Sequence, residues 1–177
     1  MKKKTLALVL ALTLLVAGVV GGTLAWLTDQ TAEVKNTFTV GDINIGLTET
    51  TTDYKMVPGN TIAKDPTVTV KANSEACWLF VKVTKSENLD TFITYAIAEG
   101  WTALPGVDGV YYREVPASAA DQTFSVLADN AVTVNSDVTK EMLTAKDFAN
   151  PTLTFKAYAV QKDNVASASD AWAKVNP

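Results

Sequence analysis

Several groups of residues in this chain are chemically suggestive. Nineteen Asp and Glu side chains offer the paired carboxylates that a glycosidase needs. The loops "VDG" at 107–109 and "SENLD" at 86–90 present oxygen ligands of the kind calcium accepts. Trp78, Trp101, Tyr111 and Tyr112 could stack on a sugar ring, and Cys77 is the one thiol. Each has a plainer reading. The acids fall in polar loops, where a solvated carboxylate is the ordinary case, and no D-x-[DN]-x-[DN]-G run is present to organise a cation. The aromatics interleave with Val and Phe, as core residues of strands do. Cys77 lies in the apolar run "ACWLFVKV" and reads as a small buried hydrophobe.

The absence of histidine removes more. Zinc proteases that hold their metal on two imidazoles one helical turn apart are excluded. Ser-His-Asp and Cys-His nucleophiles fall with them, since an imidazole must take the attacking group's proton. Neither G-x-x-x-x-G-K-[ST] nor a G-x-G-x-x-G following a strand occurs, so nucleotide chemistry has no foothold. The expectation is a protein without catalytic residues, cofactor or metal.

The elements that position these residues begin with a leader. Lys2, Lys3 and Lys4 precede an uncharged run from Thr5 to Val20 and then small residues, the layout of a secretory signal. Thr23 and Ala25 stand at −3 and −1 of a cut between Ala25 and Trp26, giving a signal peptide at 1–25 and a single domain at 26–177. Losing three lysines takes the formal net charge from −4 to −7, a poor balance for nucleic acid, whose phosphates need a basic face. One cysteine allows no internal disulfide, so stability rests on packing. The expected location is extracellular, with membrane contact only through the signal segment.

From Trp26 onward apolar residues alternate. Trp26, Ala32, Val34, Phe38 and Val40 share one parity, while Asp29, Glu33 and Lys35 take the other, as in a strand with one face to bury. The phase shifts at Gly41-Asp42, and Ile43, Ile45 and Leu47 carry it on. Val57-Pro58-Gly59-Asn60 reads as a type II turn. "DPTVTVKA", "ACWLFVKVT", "TFITYAIA", the segment through Tyr111 and Tyr112, "QTFSVLA", "NAVTV" and "PTLTFKAYAVQ" read as strands, the second apolar on both faces. Turns at Pro105-Gly106 and Asp108-Gly109 precede Tyr111. Two short helices are expected, in "DVTKEMLTAKDF" and "VASASDAWAKV". The fold class is mainly all-β: an antiparallel sandwich of jelly-roll or Greek-key type with two short helices, behind an N-terminal signal helix.

The stretch "GGTLAWLTDQTAEVKNTFTVGDINIGLTE" resembles the N-terminus of the TasA/camelysin family of Gram-positive secreted proteins. The likeness rests on Gly21-Gly22-Thr23, Ala25 at the cut, the aromatic Trp26, Asp29 three residues on, and Phe38-x-x-Gly41. It covers about residues 18–48; "VPGNTIAKDPTVTV" and "SEACWLFVKV" follow more loosely. The resemblance implies export by a SipW-type signal peptidase and a jelly-roll subunit of a biofilm matrix fibre. It also implies assembly by donation of the mature N-terminal strand, residues 26–36, to a neighbour, with an accessory matrix protein as a further partner. Camelysin is described as a protease, and the lack of histidine departs from that. The alternation supports the same device: Trp26, Leu27, Ala32 and Val34 form the candidate assembly strand, with Trp26 and Val34 as inward anchors. Burying each such side chain stabilises by about 1.5–3 kcal/mol, and a groove on another copy gives an open, non-closing contact. The same strand could equally lie in its own sandwich. The other function class is a secreted glycan or cell-wall binding module using the four aromatics.

Overall fold

A computed structural model of the chain describes residues 41–175 and, ahead of them, Lys3 alone. Contacts divide the chain into Met1–Thr39 and Val40–Pro177, and the architecture that follows belongs to the second unit. The expected leader apart from Lys3, Ala25 at the expected cut, and the candidate assembly-strand residues Trp26, Leu27, Ala32 and Val34 lie outside the described residues.

The described unit is mainly β, and every strand pairing in it is antiparallel. Ten strands follow in order: β1 Ile45–Thr48, β2 Thr61–Ala63, β3 Thr67–Val70, β4 Cys77–Lys85, β5 Ile93–Thr94, β6 Thr102–Ala103, β7 Val110–Val115, β8 Gln122–Ser125, β9 Ala131–Val134 and β10 Leu153–Gln161. They form three sheets, β1-β3-β8, β10-β4-β7-β6 and β2-β9-β5. The first and third are two parts of one bent ribbon. Residues 61–70 run against 122–134, broken where Pro66 lacks a donor and where Asp129 and Asn130 turn left-handed at φ 53° and 50°. Such an αL pair bulges a strand and bends it.

Period-two alternation decides which residues reach each core. Val68 and Val70 of β3 meet Cys77, Leu79, Val81 and Val83 of β4 and Val115 of β7, so the first two sheets face one another across this layer. The even residues of β4, Trp78 and Phe80, enter a second layer with Tyr112 of β7 and with Ala171 and Trp172 of a C-terminal helix. That helix explains why β4 is apolar on both faces. A third cluster gathers Leu89, Phe92, Leu127, Val132, Val134 and Val138 beside β9.

Among the described residues there are three α-helices where two short ones were expected: α1 Leu89–Phe92, α2 Lys140–Leu143 and α3 Ala168–Val175, with a 3-10 turn at Ala128–Asn130. α1 takes the start of the segment read as a strand at 91–98, leaving β5 two residues long. Leu89 and Phe92, three apart and both buried, face the same way only in a helical turn. α2 is a single turn, opened by Thr139, whose hydroxyl accepts from the Met142 amide at 3.3 Å. α3 starts at a reciprocal cap: Ser167 Oγ accepts from the Asp170 amide at 3.1 Å and donates to the Asp170 carboxylate at 2.7 Å, satisfying an otherwise orphaned donor. The 57–60 turn forms as expected, with Asn60 N–H donating to Val57 O at 3.0 Å and Gly59 at φ 76°. Gly106 and Gly109 likewise turn at positive φ before β7.

Candidate functional site

The described surface has a cleft and, beginning at its mouth, a long strand edge that has no partner among the described residues. The cleft, about 450 Å³, lies between the β2-β9-β5 sheet and the start of β10. Its floor is apolar, formed by Met56, Ile62, Leu89, Ile93, Val132 and Leu153, and its lip is polar, formed by Asp53, Asn150 and Thr152. That mixture is usual for a site that takes an apolar group with one polar end.

Its wall is held by a buried charge. Lys64 follows β2 on the parity of Ile62, Pro66, Val68 and Val70, so its side chain is carried inward. The residue is 8% exposed. Its Nζ donates to Glu49 Oε1 at 2.5 Å and stands 4.8 Å from the Tyr54 ring centroid and 5.4 Å from that of Phe155. An ammonium withdrawn from water needs an anion and benefits from aromatic faces. The Tyr54 hydroxyl shares its proton between Glu49 Oε1, at 2.7 Å, and the Thr51 carbonyl. Burial, and then the Glu49 carboxylate, raise its pKa well above the phenol range. Asp65 fastens the same segment from outside. It accepts from Thr50 N at 2.9 Å and from Thr50 Oγ1 at 2.5 Å, and the hydroxyl bond first, then the amide bond, hold its carboxyl below the ordinary value. Residues 49–54 are thereby strapped to 64–65 over the cleft.

From the cleft mouth β10 runs nine residues, from Leu153 to Gln161, paired with β4 along one side. Among the described residues its other edge has no partner, and β1, the outer strand of the facing sheet, also has one open edge.

The residues with chemical promise are distributed otherwise. Trp78 and Tyr112 lie on the α3 side of their sheet, 5.9 Å apart, with Trp78 Nε1 donating to Val165 O at 3.2 Å. Trp101 and Tyr111 belong to the opposite layer, where Trp101 Nε1 donates to Ser125 O at 2.8 Å. The sheet therefore divides the four aromatics into two packed pairs instead of one platform. Arg113 covers Phe124 and Trp101, its guanidinium carbon 3.9 Å and 5.4 Å from the two centroids, and burial lowers its pKa. In "SENLD", Asp90 pairs with Lys85 at 2.5 Å and the Asn88 amide donates to Ala149 O at 2.8 Å. In "VDG", Asp108 sits in the exposed turn before β7. No group of three or more His, Cys, Asp or Glu side chains suited to a metal occurs among the described residues. Cys77 is fully buried, and burial pushes its thiol up to about 11.

Sequence reasoning passed over Glu49, Tyr54 and Lys64. One signal was present: a lysine in the inward phase of an otherwise apolar alternation. Set against known proteins, the chain matches no family model, no curated protein and no solved structure.

Proposed function

We propose that this chain is a secreted structural subunit of an extracellular biofilm matrix fibre. In this reading a signal peptidase cuts between Ala25 and Trp26, residues 26–177 form a jelly-roll subunit, and residues 26–36 add as a strand to a neighbouring copy. The observation that carries it is the nine-residue edge of β10, which among the described residues has no partner strand and lies beside the likewise unpartnered edge of β1. Unpaired main-chain donors and acceptors in a row are a template for another strand, and main-chain pairing there would supply affinity while alternate side chains set register.

The same geometry weighs against a glycan-binding module, because the aromatics that would stack on sugar are engaged in two packed layers. The resemblance at residues 18–48 supports the fibre reading from the sequence side. Deleting Trp26–Val34 from the exported chain tests it by electron microscopy and pelleting. Loss of filaments with the unit still folded is expected; filaments at normal yield would remove the strand's role.

A further inference from the structure

The two charges on the outer face of β10 and β4 fix what can lie along the open edge. Lys156 of β10 stands directly across from Lys82 of β4, and among the described residues neither forms an ion pair with an acid. Like charges directly opposite one another on a sheet are destabilising. An acid brought abreast of Lys156 on its open side would offset that repulsion.

The cleft adds a direction. It opens at the Leu153 end of β10, whereas the Gln161 end is flanked by the polar pair of Lys162 and Glu114. The segment Trp26–Val34 has nine residues, as β10 has, with its largest apolar side chain at its first position. Laid parallel to β10, Trp26 comes abreast of Leu153 and Asp29 abreast of Lys156. Ala32 and Val34 then fall on the parity of Leu153, Phe155, Ala157 and Ala159, the residues of β10 that face the core. Laid antiparallel, the same length puts Trp26 beside Gln161 and an uncharged threonine beside Lys156.

On these grounds, and resting on the strand-donation reading above, we propose that the neighbour's strand runs parallel to β10, with the Trp26 indole in the cleft and Asp29 beside Lys156. The cleft suits that end of a processed chain. Its apolar floor takes the indole, and Asp53 on the lip offers a carboxylate to the α-ammonium that export would create.

Directed disulfide formation between exported full-length variants tests both direction and partner, and native Cys77, fully buried, does not compete. Chains carrying Leu27→Cys are mixed with chains carrying Thr154→Cys or Val160→Cys under mild oxidation. Parallel docking gives a disulfide-linked dimer with Thr154→Cys as the main product. A dimer formed instead with Val160→Cys overturns the parallel direction and the cleft assignment while leaving strand donation standing. A Leu27→Cys/Thr154→Cys chain that closes only on itself keeps the cleft as the Trp26 site and sinks donation between copies. No disulfide in either mixture of chains that still assemble removes β10 as the acceptor, and chains that never assemble sink the fibre reading itself. A charge swap supplies a second measurement. Asp29→Lys should cut assembly several-fold, and mixing it with Lys156→Asp should restore it; assembly unchanged by Asp29→Lys overturns the Asp29–Lys156 pairing.

Discussion

Lys64 Nζ lies 2.5 Å from Glu49 Oε1, with the two side chains only 10% and 16% exposed. A pair so withdrawn from water is costly to form and more costly to break. The Lys64 ammonium also faces the rings of Tyr54 and Phe155, and the Tyr54 hydroxyl donates to the same Glu49 oxygen.

Removing one member of that pair strands the other. Lys64→Met should destabilise the unit by about 3 kcal/mol and Glu49→Leu by somewhat less, whereas the two substitutions together should recover most of the loss. Urea unfolding of the three variants measures this as a double-mutant cycle. Independent, additive losses would mean that the two charges are not coupled.

The C-terminal helix is held chiefly by one side chain. Trp172 is 5% exposed, its ring centroid 5.3 Å from that of Phe80 and 5.2 Å, edge-on, from that of Tyr158. Trp172→Ala should cost about 3–5 kcal/mol, read by chemical unfolding, with Trp172→Phe losing much less. Release of α3 also exposes Trp78, so near-ultraviolet dichroism from the Trp78–Tyr112 pair should fall in the alanine variant.

Two glycines with similar backbone angles should respond differently to alanine. Gly59 and Gly109 have φ of 76° and 69°, but a Cβ at Gly59 meets nothing within 4 Å, whereas one at Gly109 would lie 2.4 Å from Val83 O. Gly59→Ala should cost about 1 kcal/mol from backbone conformation alone. Gly109→Ala must also displace the β4–β7 junction, where Val83 N–H donates to Gly109 O at 2.7 Å. Its cost should be at least twice as large, and equal midpoints in thermal unfolding would contradict the contact.

What the sequence displays of this architecture is what local alternation can encode. β4 is legible because both of its faces are apolar, and β3, β8, β9 and β10 because one is. The 57–60 turn is legible because proline and glycine each fit a required φ. α1 is not: Leu89 ends a polar run and Phe92 sits among β-formers, and the third cluster, not propensity, decides the local winding. The cleft depends on Glu49 and Lys64 meeting across fifteen positions, and β10's open edge on which strands pair at long range. Neither relation is written in any window of residues. Lys64 was visible only as a charge in the wrong phase, an irregularity whose meaning required the partner's position.

Acid should loosen the strap over the cleft before it unfolds the sheets. Asp65 accepts from Thr50 through both its hydroxyl and its amide, and these bonds lower its pKa in the folded chain. A carboxyl whose folded pKa lies below its unfolded one stabilises the fold above the unfolded value, about 3.9, and that contribution is lost as pH falls through the folded value. Asp65→Asn should therefore lower the melting temperature at pH 6 by a modest amount, since the carboxylate is solvent-facing. The gap from the parent should close as pH drops below about 4. Melting curves of both proteins between pH 6 and 2 measure it. A gap that persists undiminished at the acid end would show that the Thr50 bonds do not depend on the ionised carboxyl, and that the strap is held by the Lys64–Glu49–Tyr54 side alone.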